Sequence, residues 1–265
     1  MHIDNFQYGH TKSSKHNGQQ FGNECTNYTI GRKGYCDELY QYLHQFIKPK
    51  DLILDIGCGT GIATIALRSS GFDNICGCDI DKVMLEEAER NSIRQGLDIQ
   101  YKLAAAYDLT HSFPKGSFQA VTAFSSFHWF CYPQEINEIR SILNTNGFFV
   151  VVNKDDTSKF RGEFNQFLEG ELGHPVLKDK DKYHPKSILM ANNFDIIGEQ
   201  KWDVDEIYNF DEGVAYCQSL SVWTMLDQQQ KTNILPQLRK FVLDRMSNQM
   251  MHRPVKISCI VSKPA

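Results

Sequence analysis

Between Leu52 and Gly61 an apolar run, Leu52-Ile53-Leu54, ends in Asp55, and glycines follow at alternate positions, Gly57, Gly59 and Gly61. The pattern predicts a buried parallel strand that bends sharply into a helix, with backbone N–H groups exposed at the helix start. Glycine there lets a bound molecule lie against the main chain, where a Cβ would collide. A second apolar run ends in Gly77-Cys78-Asp79. A carboxylate at that strand tip can accept two hydrogen bonds from a vicinal diol without leaving a donor unpaired. A third feature is Ser125-Ser126-Phe127-His128-Trp129-Phe130. An imidazole titrates near neutrality and can orient or deprotonate a nucleophile. An indole offers an apolar wall that attracts a cation by roughly 0.5–2 kcal/mol. Two plainer readings stand beside these: His128 as a structural hydrogen-bond partner, and Trp129 and Phe130 as core aromatics at a helix start.

These residues need a scaffold, and the hydrophobic pattern supplies one. Strands are expected at 51–56, Asn74–Asp79, Ile99–Ala104, Phe118–Phe124 and Phe148–Asn153. Helical spacing fills the gaps: Cys36–Ile47, Thr60–Ser70, a helix opened by Asp81, and one started by Pro133. Asn146-Gly147 is read as the turn into the fifth strand. Strands alternating with helices predict a parallel sheet covered on both faces. Right-handed crossovers make it doubly wound. In such sheets ligands sit beyond the carboxyl ends of the strands, which is where all three features fall. Residues 155–265 read differently. Helical patterns occur at 160–170, 185–191, 211–220 and 227–246, with strand candidates at Phe194–Tyr208 and Val255–Ser262. The two strands are expected to extend the sheet edge as an antiparallel pair, with the inserted helices forming a lid.

The Asp55-x-Gly57-x-Gly59-x-Gly61 run with Asp79 resembles motif I and the ribose-binding acid of the class I S-adenosylmethionine (SAM) methyltransferases. Phe113-Pro114-Lys115-Gly116-Ser117-Phe118 resembles that family's entry to the fourth strand, with Gln119 where Asp is usual, and Leu143-x-x-x-Gly147-Phe148 resembles the approach to its fifth. Ala105 stands where an adenine-binding Asp is common, which leaves Asp108 or the backbone at Ala106 as alternatives. The His128-Trp129-Phe130 corner resembles the signature of a subgroup that includes trans-aconitate methyltransferase-like enzymes (methyltransferase type 11). So does the N-terminal run from Phe21 through Cys25, Tyr28, Gly31 and Arg32 to Tyr35, with Lys33 and Cys36 replacing two prolines. A nicotinamide enzyme would show G-x-G-x-x-G. Here Gly61 follows Gly59 too closely, and Asp55 would oppose an anionic pyrophosphate.

The resemblance implies an α/β, doubly wound, seven-stranded and mostly parallel sheet with an antiparallel last strand and a helical lid. It implies three regions: a flexible tail and active-site flap over 1–35, a SAM-binding core over 36–153, and a C-terminal part over 154–265 that completes the sheet and carries the lid. Cofactor contacts are expected from Asp55, Gly57, Cys58, Gly59, Thr60 and Gly61, from Asp79 and Ile80, from Ala105 and Ala106, from Ser125, and from Tyr28 and Arg32. Arg32 suits a carboxylate of the cofactor or of the substrate. His128 is the catalytic candidate. Tyr35, Trp129 and Trp223 are the substrate candidates, with the core as the other reading of Trp223. The expected reaction is methyl transfer from SAM, leaving S-adenosylhomocysteine, to a small molecule such as a carboxylate or hydroxyl compound. The alternatives are a tRNA or protein acceptor, and a non-catalytic SAM-binding protein.

The chain has 265 residues, 41% hydrophobic and 23% charged, with a formal net charge of −4. That balance gives no global pull toward nucleic acid or anionic membrane, so neither is an expected partner. The eight cysteines form no C-x-x-C pair, which favours reduced thiols and no metal site. No apolar stretch is long enough to span a bilayer, and the polar first 20 residues lack a signal-peptide centre. A cytoplasmic monomer or homodimer is expected. Lys178–Lys182 alternates in charge and reads as a solvated loop.

Overall fold

The computed structural model describes residues 22–176 and 183–265. The expected tail up to residue 21 and the Lys178–Lys182 loop lie outside the described residues. The chain opens with α1 (Cys25–Gly31) and α2 (Asp37–Leu43). Strands and helices then alternate: β1 (Leu52–Ile56), α3 (Ile62–Ser69), β2 (Asn74–Asp79), α4 (Lys82–Arg94), β3 (Gln100–Leu103), α5 (Leu109–Ser112), β4 (Phe118–Phe124), α6 (Pro133–Ile142) and β5 (Leu143–Asp156). The remainder is α7 (Phe160–Leu172), α8 (Pro185–Ala191), β6 (Phe194–Tyr208), α9 (Phe210–Gln218), α10 (Ser221–Thr224), α11 (Gln228–Leu243) and β7 (Met251–Pro264).

The strands form one seven-stranded sheet in the order β3-β2-β1-β4-β5-β7-β6. Pairings among β1 to β5 are parallel, and β7 runs antiparallel to both β5 and β6. The expected mixed, doubly wound sheet is therefore present, with β7 inserted between β5 and the edge strand β6. The order reverses between β1 and β4, so a crevice opens at their carboxyl ends.

Local chemistry sets the element ends. The Asp81 carboxylate accepts from the Val83 and Met84 amides and caps α4. Pro133 takes the first turn of α6, where its missing N–H costs nothing. Asn209 with Glu212, and Asp227 with Gln230, form reciprocal capping boxes on α9 and α11. One sheet face packs on Leu109, Ile136, Ile139 and Ile142, the other on Leu39, Leu43 and Leu67. A third core joins α7 to α9, α10 and α11 through Phe160, Phe164, Tyr216, Trp223, Leu238 and Phe241.

Several boundaries differ from expectation: the helix expected over Cys36–Ile47 ends at Leu43, and two strands start or extend elsewhere. β5 begins at Leu143, which pairs with Phe118, so Asn146-Gly147 lies inside the strand instead of forming a turn before it. Gln119 explains this: its amide accepts from Asn144 Nδ2 at 2.9 Å and donates to Asn146 O at 2.7 Å, holding the irregular segment against β4. β7 extends from Met251 to Pro264, beyond the expected 255–262, because it pairs along most of the 15-residue β6.

Candidate active site

A cavity of about 800 Å³ opens at the carboxyl ends of β1, β2 and β4. That volume suits a nucleoside-sized ligand with a second small molecule. The glycine turn forms its floor. The turn amides are mostly engaged within the protein: Gly57 and Cys58 donate to Cys78 O, Gly59 to Asp79 Oδ2, and Gly61 to Cys58 O. The expected row of exposed N–H groups is therefore not offered, and a pyrophosphate finds little to bind. Gly59 has φ +56° and faces the pocket, where an added Cβ would meet Met84 Cε at 3.3 Å and Tyr28 Cε1 at 4.0 Å.

Gly61 corrects one expectation. It does not line the cavity. It holds φ +81° before α3, and an added Cβ would lie 2.7 Å from the Tyr101 hydroxyl and 3.1 Å from Ala88 Cβ. This glycine serves packing of the turn against α4 and β3. The spacing of the glycines cannot separate that role from a ligand contact, because both demand the same missing side chain.

The two acids differ in their partners. Asp79 Oδ2 accepts from Gly59 N–H and Oδ1 from Asp81 N–H, each at 2.9 Å. Each oxygen keeps lone-pair capacity for a hydroxyl. Burial raises the Asp79 pKa, and the Asp81 and Gly59 amides oppose the rise. Asp55 is 1% exposed and, among the described residues, accepts only hydroxyls, from Thr64 at 2.7 Å and Thr122 at 2.9 Å. Burial pushes its carboxyl up to about 7. Thr60 Oγ1 is buried nearby without a hydrogen-bond partner among the described residues.

The remaining cavity wall brings together Ile80, Ala104 to Tyr107, Ser125, His128, Trp129, Tyr28, Arg32 and Tyr35. Asp108, the alternative adenine partner, is not among the lining residues. Ser125 follows β4 with φ +49°, a strained conformation for a residue with a side chain. Its hydroxyl is 2.9 Å from the Tyr35 hydroxyl. Burial raises the Tyr35 pKa, so the phenol keeps its proton. His128 and Trp129 sit on one 3-10 turn with ring centroids 5.2 Å apart. Trp129 lines the cavity and also packs against the core.

Two expectations change here. Trp223 is 1% exposed, belongs to the third core and does not reach the cavity. Its helical spacing fits a core or a wall equally, and burial decides for the core. Arg32 lines the pocket, but its Nε donates to Ser219 Oγ at 2.8 Å and its Nη2 to Ser219 O at 3.0 Å. Those bonds tie the N-terminal segment to the end of α9.

Sequence reading missed the far wall, where Lys154, Asp156, Arg161, Glu206, Tyr208 and Arg253 meet. Glu206 bonds Lys154 Nζ at 2.6 Å and Arg253 Nη2 at 2.6 Å, and accepts from the Tyr208 hydroxyl. Burial works against the Glu206 carboxylate, yet Lys154 and Arg253 outweigh it and hold its pKa below the usual range. Lys154 also donates to Lys33 O and Gly34 O and lies over the Tyr35 ring. The available signal was weak: charged residues within β5, β6 and β7 that interrupt apolar alternation. The cavity is thus acidic at the β1–β2 end, while at the β5–β7 end Lys154, Arg161 and Arg253 stand among Asp155, Asp156 and Glu206, with Arg253 paired to both Glu206 and Asp156.

Residues 53–147 match the family described as a methyltransferase domain. With the sheet order, this defines an α/β domain of the Rossmann-like methyltransferase fold. A Dictyostelium discoideum protein named as a methyltransferase is 26% identical over 196 residues, covering 74% of this chain and 64% of that protein. The ribosomal protein L11 methyltransferase of Burkholderia vietnamiensis is 40% identical over 83 residues, 31% of this chain and 26% of its own length. The chain thus spans less than two thirds of these curated relatives. Among solved structures, a protein of Anaeromyxobacter dehalogenans named as a type II methyltransferase matches with TM-score 0.58 and 16% identity, covering 88% of this chain and 99% of that one. The cyclase SpnF matches equally, with TM-score 0.58 and 16% identity over 95% of this chain and 97% of its own. These likenesses establish the fold. The reaction is read from the site.

Proposed function

We propose that the chain is a SAM-dependent methyltransferase acting on a small molecule. One observation carries the reading: a single cavity joins the Gly57–Thr60 turn and Asp79 to a separate wall of paired charges through Ser125, His128 and Trp129. The residues fit the cofactor. The Thr60 hydroxyl is a buried polar atom with no partner among the described residues, Gly59 leaves room a Cβ would fill, and Asp79 retains acceptor sites for a ribose diol. Asp79 would hold the ribose, Ile80, Ala105 and Ala106 the adenine, and Gly57, Cys58, Gly59, Thr60 and Tyr28 the methionine part. When bound, SAM supplies an electrophilic methyl group on a sulfonium.

This chain's own work is alignment and exclusion of water. Holding an acceptor in line can lower the barrier by roughly 7–11 kcal/mol. Tyr35 and Ser125 form a fixed hydrogen-bonded pair where β4 ends, and Trp129 gives an apolar wall. Arg253, whose Nη atoms pair with Glu206 and Asp156, suits an acidic acceptor through Nε. Arg253 Nε is buried without a hydrogen-bond partner among the described residues, so this wall has a donor to offer. A carboxylate acceptor is already ionised at neutral pH and needs no base. A hydroxyl acceptor would place its proton on His128. The resemblance of His128-Trp129-Phe130 to the trans-aconitate methyltransferase-like signature supports a carboxylate acceptor.

A second reading, a protein acceptor, draws on the 83-residue match to the L11 methyltransferase. Transfer of radiolabelled methyl from SAM into fractionated cell extract separates the two. Label in the small-molecule fraction is expected. Label confined to protein or RNA overturns the small-molecule acceptor. Binding of SAM with no label anywhere identifies a non-catalytic SAM-binding protein.

A further inference from the structure

Asp55 is a buried acid of the cavity that only neutral hydroxyls support among the described residues. Its two oxygens receive one hydroxyl each, from Thr64 on α3 and Thr122 on β4. Among the described residues it receives no backbone amide and no ion pair. The titratable groups that face it are themselves acids: Asp79, Cys76 and Cys78 on β2, Cys58 on the turn, Tyr101 on β3, Tyr40 on α2, and Tyr35 before α2. Arg32, which lines the same cavity, is turned to Ser219. Asp79, two residues beyond the partner of Asp55 on the neighbouring strand, is better provided, with two amides. Two carboxylates in one dry site cannot both ionise cheaply. The weaker-supported one is Asp55, and burial holds its carboxyl at about 7.

Such a carboxyl responds to ligands that differ by one charge. SAM and S-adenosylhomocysteine share the nucleoside, the ammonium and the carboxylate, and differ by the methyl and positive charge on sulfur. Resting on the methyltransferase reading, we infer that Asp55 discriminates the two by charge: it keeps its proton when the pocket is empty or holds the thioether, and releases that proton to solvent when the sulfonium form binds. Methyl transfer then removes the cation, Asp55 takes a proton back, and the product loses an electrostatic anchor that the substrate had. Asp55 thereby favours entry of the charged form and departure of the neutral one.

The test is calorimetric titration of the full chain with SAM, and separately with S-adenosylhomocysteine, in phosphate and in Tris, whose ionisation heats differ. Near pH 7, about half a proton is expected to leave per SAM bound, and close to none per S-adenosylhomocysteine. Between about pH 6 and pH 8, SAM affinity is expected to rise about tenfold relative to that of S-adenosylhomocysteine. Asp55→Asn is expected to abolish both effects. Thr64→Val, which removes one donor to the ionised form, is expected to shift the midpoint to higher pH. Equal heats in both buffers, with an affinity ratio flat in pH, overturn the inference while SAM binding itself upholds the cofactor assignment on which it rests. No binding of either ligand overturns both. The wild-type titrations decide the matter even if the Asp55 variant fails to fold.

Discussion

At the residue scale the two strand-tip acids carry different loads. Asp79 fixes the turn through the Gly59 and Asp81 amides before any ligand arrives. Its replacement by Ala removes both the anchor of the turn and the proposed diol acceptor. Charge-assisted hydrogen bonds contribute roughly 1.5–3 kcal/mol each, so Asp79→Ala is expected to weaken SAM binding at least tenfold, read by titration. Asp55 acts on stability in the opposite sense to a salt-bridged acid. Its folded-state pKa is raised, so the folded chain holds the proton more tightly than the unfolded chain. The resulting stabilisation is complete below the ordinary carboxylate range and is lost as pH rises through about 7. Denaturant unfolding of the ligand-free chain is expected to show that decline, and Asp55→Asn to flatten it. Both acids were legible in the sequence, because an apolar run ending in Asp beside glycine has few other uses. The spacing could not settle Gly61 or Trp223, because a close-packed glycine or a core indole leaves the same mark as a ligand contact.

At the element scale the cavity depends on contacts between segments distant in sequence. α1 rests directly on α9: a Cβ on Gly31 would fall 2.2 Å from the Tyr216 backbone nitrogen. Backbone cannot yield as a side-chain tip does. Gly31→Ala is expected to push α1 away and cost about 1–3 kcal/mol, seen as a lower thermal midpoint and faster proteolysis near residue 31. The Lys154–Glu206–Arg253 cluster joins β5, β6 and β7 under the strap that precedes α2. Removing one partner of a buried ion pair leaves an uncompensated charge and costs about 3–5 kcal/mol. Glu206→Ala is expected to show that loss at neutral pH. Because the Glu206 pKa is lowered, its contribution is present above the ordinary Glu range and disappears as pH falls below it. The difference between wild type and variant is therefore expected to shrink on acidification. None of this cluster was legible in advance. Strand alternation located β6, but no local rule pairs Glu206 with Lys154 and Arg253 across two neighbouring strands.

At the scale of the whole molecule the chain is a doubly wound sheet with an added helical layer. The strand–helix alternation up to β5 was readable because parallel strands are apolar runs and their helices carry a clear apolar face. The layer built by α7 and α9 to α11 was readable only as helices. Its packing, and so the closure of the cavity, came from a third core that no spacing rule announces. Among the described residues no helix is long and apolar enough to cross a membrane. The sheet itself is shared with the cyclase SpnF, so the fold alone does not fix the chemistry and the site must. Binding to the folded state alone raises stability by about 2.7 kcal/mol at a hundredfold excess over Kd. SAM is accordingly expected to raise the thermal midpoint, and a dinucleotide is not.

The most direct test of the central claim is a crystal structure of the chain grown with SAM. The nucleoside is expected in the cavity beyond β1, β2 and β4, with both ribose hydroxyls on the Asp79 carboxylate and the sulfur turned toward Ser125 and Trp129. An empty crevice at saturating SAM, or an Asp79 carboxylate pointing away from the bound ribose, would contradict that claim.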